Sequence, residues 1–262
     1  MHWRLIDSGP CGASYNMALD EALAASVRKG ASPPVLRLYG WDRPSLSIGC
    51  FQKVSDLDLR YCSEKGVPVV RRPTGGRAVL HGSELTYSFS VRTDRGVFSK
   101  GLLDSYKKLG AAFELAFRKT GLRTEIRQQR EKGGVLAGSP LCFRSGSYGE
   151  LLFGGKKLVG SAQKRWQDGL LQQGSIPYLH DEEALRGVFR LGTGLLPGDF
   201  MTGLKEALPG LDEAVFKSTV AASFEETFSI RLVPSHPSQE ELSLALELQE
   251  LKYLLPQWTL RR

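Results

Sequence analysis

The chain has 262 residues, 41% of them hydrophobic and 24% charged, with a formal net charge of +7. That length buries a substantial core, and the composition is that of a globular protein, which excludes fibrous and disordered classes. No apolar run approaches the roughly 18 residues of a membrane-spanning helix. The N-terminus lacks a basic-then-apolar secretory layout, so no membrane is expected and the cytoplasm is the expected compartment.

The first helix is predicted from Ser14, as its N-cap, to about Lys29, with Leu19, Leu23 and Val27 on one face and Gly30 as its stop. Strands are predicted at 35–39, 45–50 and 67–71, with a short helix over 55–64 between the last two. Leu85, Tyr87, Phe89 and Val91 alternate with Thr86, Ser88 and Ser90, the period of a strand with two different faces. Leu102, Tyr106, Leu109, Phe113 and Ala116 recur at helical spacing, and Gly121 ends that helix. The polar stretch 128–147 has no clear period and is predicted to be a long loop. Strands over 150–153 and 157–165 are joined by Gly154-Gly155 as a tight hairpin, with another strand at 169–176. A helix over 212–228 follows. Ser238 and Glu241 form a capping box that opens a last helix carried by Leu242, Leu246 and Leu248. No internal repeat is present. Strands and helices mix without strict alternation, which predicts an α+β fold with a mixed β-sheet core and flanking helices. The chain 1–262 is read as a single catalytic domain, residues about 210–262 being its mainly helical C-terminal part.

Four cysteines, Cys11, Cys50, Cys62 and Cys142, stand outside any CxxC pair, which argues for free thiols and against a metal site. The basic residues are scattered, so no specific nucleic-acid binding is expected, and an acidic protein partner accounts for the charge equally well. The densest motif runs from Arg71 through Arg72, Pro73, Thr74, Gly75, Gly76 and Arg77 to His81. Gly75-Gly76 permits positive φ and lets a ligand approach bare backbone, although the pattern alone also describes a plain β-turn. A second motif spans 155–163. There Lys157 is placed on an inward face by alternation, and Ser161 and Ala162 leave room for a ligand, whereas Lys156 reads as a surface residue.

Together these segments resemble the biotin/lipoate ligase superfamily. The similarity extends to Asn16-Met17-Ala18-Leu19-Asp20-Glu21, to Arg37-Leu38-Tyr39-Gly40-Trp41, and to Ser47-Ile48-Gly49 with Phe51-Gln52. Leu141-Cys142-Phe143-Arg144-Ser145-Gly146-Ser147-Tyr148 looks like the nucleophile segment of LipM-type octanoyltransferases. Arg77 after the glycine pair and Leu171-Gln172-Gln173-Gly174-Ser175-Ile176 are similar to the same group. Cys50 departs from it, standing where relatives carry a larger residue, as a packing group or a modifier of the pocket.

The resemblance implies a biotin/lipoate protein ligase catalytic-domain fold and octanoyl transfer from an acyl carrier protein thioester, through Cys142, to a lysine of a lipoyl domain or glycine-cleavage H protein. It implies no cofactor and no metal. Cys142 is then the nucleophile, and Lys157 holds the reacting carbonyl. Arg71, Thr74, Gly75, Gly76, His81, Ser161 and Ala162 bind substrate, with His81 also a candidate to take the proton of the incoming amine. His2, His180 and His236 receive no role. Thioester exchange with a thiolate is nearly isoenergetic and thioester-to-amide transfer runs downhill, so no ATP is needed. The alternatives are an ATP-dependent lipoate ligase and octanoyl transfer between two lipoyl-accepting proteins.

Overall fold

The computed structural model describes residues 1–94, 96–126, 150–189 and 197–261. Strand β1 (His2–Cys11) leads into helix α1 (Ala13–Arg28), followed by β2 (Val35–Trp41), β3 (Ser45–Ile48), α2 (Leu59–Glu64), β4 (Val69–Arg71), β5 (Val79–His81) and β6 (Glu84–Arg92). Helix α3 (Leu102–Lys119) comes next, then β7 (Glu125–Ile126), β8 (Leu151–Phe153), β9 (Lys156–Lys157), β10 (Gly160–Arg165) and β11 (Gly169–Pro177). The remainder holds α4 (Glu182–Phe189), α5 (Leu204–Ala207), α6 (Glu213–Phe228), β12 (Arg231–Pro234), α7 (Gln239–Leu248) and α8 (Pro256–Thr259).

The main sheet has the order β10-β11-β6-β2-β1-β12 and is mixed. β1 pairs in parallel with β2 and β12, while β6 pairs antiparallel with β2 and β11. A small sheet, β4-β3-β5, stands beside it, and β7-β8-β9 forms a third. This is the α+β arrangement with flanking helices that the sequence predicts.

One face of the main sheet carries an aromatic core. Trp3, Tyr87 and Phe89 of the sheet meet Phe113 of α3 and Phe224 of α6, with Tyr87 and Phe113 ring centroids 4.3 Å apart. Helix α1 covers the other face and is itself backed by α7. Strand β6 is therefore buried from Glu84 to Val91, both faces included. The alternation read from the sequence is real, but its polar half faces α1 rather than water.

That half forms a dry hydrogen-bonded layer centred on Asp20. Its Oδ1 accepts from Arg37 Nη1 (2.8 Å) and Ser88 Oγ (2.6 Å), and its Oδ2 accepts from Tyr39 Oη (2.8 Å) and Gln173 Nε2 (2.7 Å). Asn16, one turn earlier, accepts from Arg37 Nη2 (2.7 Å) and donates to the carbonyls of Cys11 and Gly40. Burial, then the Asp20 carboxylate, pushes the Tyr39 hydroxyl well above its usual pKa, so it stays a donor.

Three local expectations change. Helix α1 begins at Ala13 with Gly12 as its N-cap, and Ser14, inside the helix, accepts from Gln249 Nε2 instead (2.9 Å). The strand predicted over 157–165 is interrupted at Leu158-Val159, which turn into the aromatic core. In α7 the Ser238–Glu241 capping box forms, but Leu246 is 54% exposed, and the buried face runs through Glu241 and Ala245 because Arg4 reaches across to bind Glu241. Gly154 and Gly155, both at positive φ, make the predicted hairpin turn.

Asp20 and Arg37 are a fully buried ion pair, so removing one partner strands the other charge. Asp20→Ala is expected to lose about 3–5 kcal/mol in urea unfolding, against about 1 kcal/mol for Ser88→Ala, which deletes one hydrogen bond. Equal losses for the two variants would contradict the role of Asp20 as the centre of this layer.

Candidate active site

A narrow slot opens between the main sheet and the β4-β3-β5 sheet. The small sheet contributes Ser47, Val79 and His81 to its wall. The main sheet contributes Tyr39, Trp41 and Thr86 from β2 and β6, Gly160 to Ala162 from β10, and Gln173 to Ser175 from β11. Met17 of α1 and Arg72 close it. Two glycines make the slot possible. A Cβ on Gly49 would lie 1.8 Å from the Gly76 carbonyl oxygen, and one on Gly174 would lie 2.2 Å from the Tyr87 ring. The glycine turn and the wall strands approach more closely than any side chain permits.

His81 lines the slot, stacked on Trp41 with ring centroids 3.9 Å apart. Its Nε2 is 2.7 Å from Ser47 Oγ, and its Nδ1 is 2.8 Å from Glu84 Oε1. Thr86 also donates to Glu84 Oε1, and Ser175 donates to Oε2 (2.9 Å). Burial alone would raise the Glu84 carboxyl; the neighbouring imidazole and the three hydrogen bonds outweigh it and hold the carboxyl below the usual range.

The glycine-rich segment divides its two arginines. Arg72 faces the slot and clamps the turn, Nη2 donating to the carbonyls of Gly75 (2.6 Å) and Arg77 (2.7 Å), Nη1 to Ser47. Arg71 is buried away from the slot lining, where it donates to the carbonyls of Gly49 (2.8 Å), Gln52 (2.8 Å) and Thr259 (3.0 Å). It ties the turn's approach strand to the C-terminal helix. Thr74 Oγ1 donates to Gln173 Oε1 (2.8 Å), which joins the glycine turn to the Asp20 layer. Gly75 and Gly76 are not part of the slot wall: Gly76 is exposed, and a Cβ on it would sit 3.6 Å from that of Ala162.

Ser161 and Ala162 line the slot, and Ser161 shares a 2.9 Å hydrogen bond with Tyr87 Oη. Burial pushes the Tyr87 hydroxyl up to about 12, against the lowering effect of Ser161 and Gln172. Lys157 points inward, 3% exposed, and its ammonium meets the Glu150 carboxylate; it is not part of the slot wall. Cys142 lies outside the described residues, as does the 128–147 stretch. Cys50 is buried, and Arg261 reaches its Sγ (3.0 Å) and its carbonyl oxygen (3.0 Å), so it packs under the C-terminal segment and not in the slot. Among the described residues no cluster of His, Cys, Asp or Glu could hold a metal ion, and no helix is long and apolar enough to cross a membrane.

Sequence reasoning did not select Glu84, Ser47, Arg72 or Gln173 as site residues. Glu84, three residues after His81 at the start of the next strand, was the one with a local signal: a carboxylate that close to a motif histidine can reach its ring.

Residues 12–225 match the family model of the lipoyl protein ligase A/B catalytic domain. The chain is 36% identical to the octanoyltransferase LipM of Moorella thermoacetica, over 99% of this chain and 98% of that protein. It is 36% identical to that of Kyrpidia tusciae, over 99% of each. It is 34% identical to that of Bacillus subtilis, over 99% and 98%. Among solved structures it is similar to a lipoate-protein ligase A bound with ATP, at TM-score 0.84 and 24% identity over 99% of both chains. It is also similar to the bi-partite lipoate protein ligase of Thermoplasma acidophilum, at TM-score 0.83 and 22% identity over 99% of this chain and 96% of that one. At such identities the structural likeness speaks for the fold alone.

Two outcomes test the site's construction. Gly49→Ala is expected to lose at least about 2 kcal/mol of stability through overpacking, while Gly75→Ala, whose Cβ meets nothing within 4 Å, stays within about 0.5 kcal/mol of the parent. Equal effects in chemical denaturation would contradict the crossing of Gly49 and Gly76. Glu84 gives a pH signature. Its folded-state carboxyl is held low, so its stabilisation is complete above the ordinary glutamate value of about 4.3 and is lost as pH falls through the folded value. The stability gap between the parent and Glu84→Gln should narrow below about pH 4. A gap that stays constant into acid would show that no low-titrating carboxylate stands there.

Proposed function

The chain belongs to the lipoyl protein ligase A/B catalytic-domain family, and from that footing we propose that it is an octanoyltransferase of lipoate assembly working through a cysteine acyl-enzyme. The observation that carries this reading is the full-length similarity, at 34–36% identity, to several octanoyltransferases LipM. Residues 1–262 act in this reading as one catalytic unit, residues about 210–262 included.

The chemistry of the slot wall matches an acyl chain: an octanoyl group brings seven methylene and methyl groups toward Met17, Trp41, Val79 and Ala162. At about 0.8 kcal/mol per buried group, that is on the order of 5 kcal/mol of binding. The donor is assigned as octanoyl acyl carrier protein, and the acceptor as a lysine of a lipoyl domain or glycine-cleavage H protein. The net charge of +7 would draw acidic proteins of either kind. The cytoplasm is the compartment assigned, since a catalytic thiol must stay reduced.

In this reading Cys142 exchanges onto the donor thioester, and the acceptor amine then takes the acyl group. Lys157, inward-facing and partnered by Glu150, holds the thioester carbonyl oxygen as negative charge develops on it. His81, Ser161 and Ala162 hold the chain from the wall. Thr74, Gly75 and Gly76 shape the turn next to them, and Arg71 acts indirectly by bracing residues 49–52.

Incubating the protein with octanoyl carrier protein in the absence of ATP tests the reading by intact mass. An octanoyl adduct is expected that maps to Cys142, is released by hydroxylamine and is missing in Cys142→Ala. No adduct with an intact donor, together with AMP release when octanoate and ATP are supplied, would overturn it in favour of a ligase.

A further inference from the structure

Three side chains from three strands stand in line beside the slot. Ser47 of β3 meets His81 Nε2 at 2.7 Å, and His81 Nδ1 of β5 meets Glu84 Oε1 of β6 at 2.8 Å. The hydrogen positions follow from the partners. Glu84 accepts from Thr86 and Ser175 besides His81, and its carboxyl is held low, so it is an acceptor only. Nδ1 therefore carries a hydrogen, and in the neutral ring Nε2 is a bare acceptor. Arg72 Nη1, 3.1 Å from Ser47 Oγ, has only hydrogens to offer, so the Ser47 hydroxyl proton points at His81. Stacking on Trp41 holds the ring plane. Both Ser47 and His81 lie on the slot wall, which makes this array reachable by whatever reacts there.

We propose that Ser47 and His81 form a proton relay for the acyl-accepting amine, with Glu84 as the positioning residue that sets the imidazole's tautomer. The proposal rests on the transfer to a protein amine set out above. In that step the neutral amine nitrogen attacks the acyl carbon, the C–N bond forms, and the C–S bond breaks with its electron pair leaving on sulfur. One N–H proton passes to Ser47 Oγ while the Ser47 hydroxyl proton passes to His81 Nε2. The imidazolium, facing Glu84, then releases its proton to water and the thiolate takes one up from water, so atoms and charge balance. The relay is indifferent to where the thioester sulfur is held, because it acts on the incoming nitrogen.

Several charged and titratable groups face the ring, Glu84 at Nδ1 and Arg72 beside Ser47 among them. Tyr39 stands on the slot wall, and His180 and Asp181 border a second cavity that His81 and Glu84 share. The structural alternative is that the array merely ties three strand ends together. The two differ in what pH does to the rate.

The test loads the enzyme from octanoyl carrier protein, isolates the acyl-enzyme and follows single-turnover transfer to a lipoyl domain across pH. Glu84→Gln is expected to slow transfer at least tenfold near neutral pH and to move the acid limb of the rate, because the imidazole loses its facing carboxylate. Ser47→Ala is expected to lose about 100-fold, and Ser47→Thr, which keeps the hydroxyl, to recover most of that. Slower transfer with an unmoved acid limb, and Ser47→Thr no better than Ser47→Ala, would reduce the array to a strand tie. Nitrogen-15 NMR of His81 in the unloaded protein is independent of any acyl transfer. It should show the Nδ1–H tautomer, with a titration that moves in Glu84→Gln; an Nε2–H tautomer overturns the relay. A wild-type protein that accepts no acyl group defeats the reading above it instead, and the relay is then decided by the NMR result.

Discussion

The charge on Asp20 is the constraint from which much of this structure follows. A carboxylate fully removed from water must be met on every side, and here four donors from three different strands converge on it. Arg37 and Tyr39 come from β2, Ser88 from β6 and Gln173 from β11, so α1 can dock on the sheet in one register only. Gln173 passes the constraint on, because its other end accepts from Thr74 and thereby fixes the glycine turn. The slot wall is thus positioned by a charged layer, two of whose members, Tyr39 and Gln173, also line the slot.

The same layer explains how an apolar slot comes to lie next to polar strand ends. On the α3–α6 side of the sheet the aromatic core supplies the burial, and on the α1 side polar side chains pair among themselves. At the slot the two environments meet. Tyr87 belongs to the aromatic core yet turns its hydroxyl to Ser161 and Gln172. Trp41 stacks on His81 while its indole nitrogen donates to Thr86 (2.8 Å). Trp41 gives the slot an apolar surface, Tyr87 backs the wall at Gly174, and each has its polar tip satisfied, so no donor is stranded.

The C-terminal segment contributes from outside the slot. Trp258 Nε1 donates to the Arg71 carbonyl (2.8 Å), Arg71 returns a bond to the carbonyl of Thr259, and Arg261 stacks on Trp258 while binding Cys50. Residues 49–52 and the strand entering the glycine turn are held together by chain some 190 residues away. This makes α8 part of the site's support, although none of its residues lines the slot.

What the sequence determines by itself is whatever depends on neighbours a few residues apart. The Ser238–Glu241 capping box, the Gly154-Gly155 turn, the helix that ends at Gly121 and the glycine-rich turn after Arg72 are all local chemistry, and each was legible. The family resemblance also rests on local motifs, which is why the α+β fold and the octanoyltransferase kinship could be read from them. Tertiary structure decided the rest. Thr86, Ser88 and Ser90 have the period of an exposed face, and only the docking of α1 makes that face a buried polar layer. Arg71 and Arg72 are adjacent, so extended backbone sends them to opposite sides, but only the tertiary structure decides that one side is the slot and the other the C-terminal helix. Ser47 and His81 lie 34 residues apart and meet because β3 and β5 pair. Periodicity records which side of an element a residue occupies; what stands on that side is set by long-range pairing, which no local pattern contains.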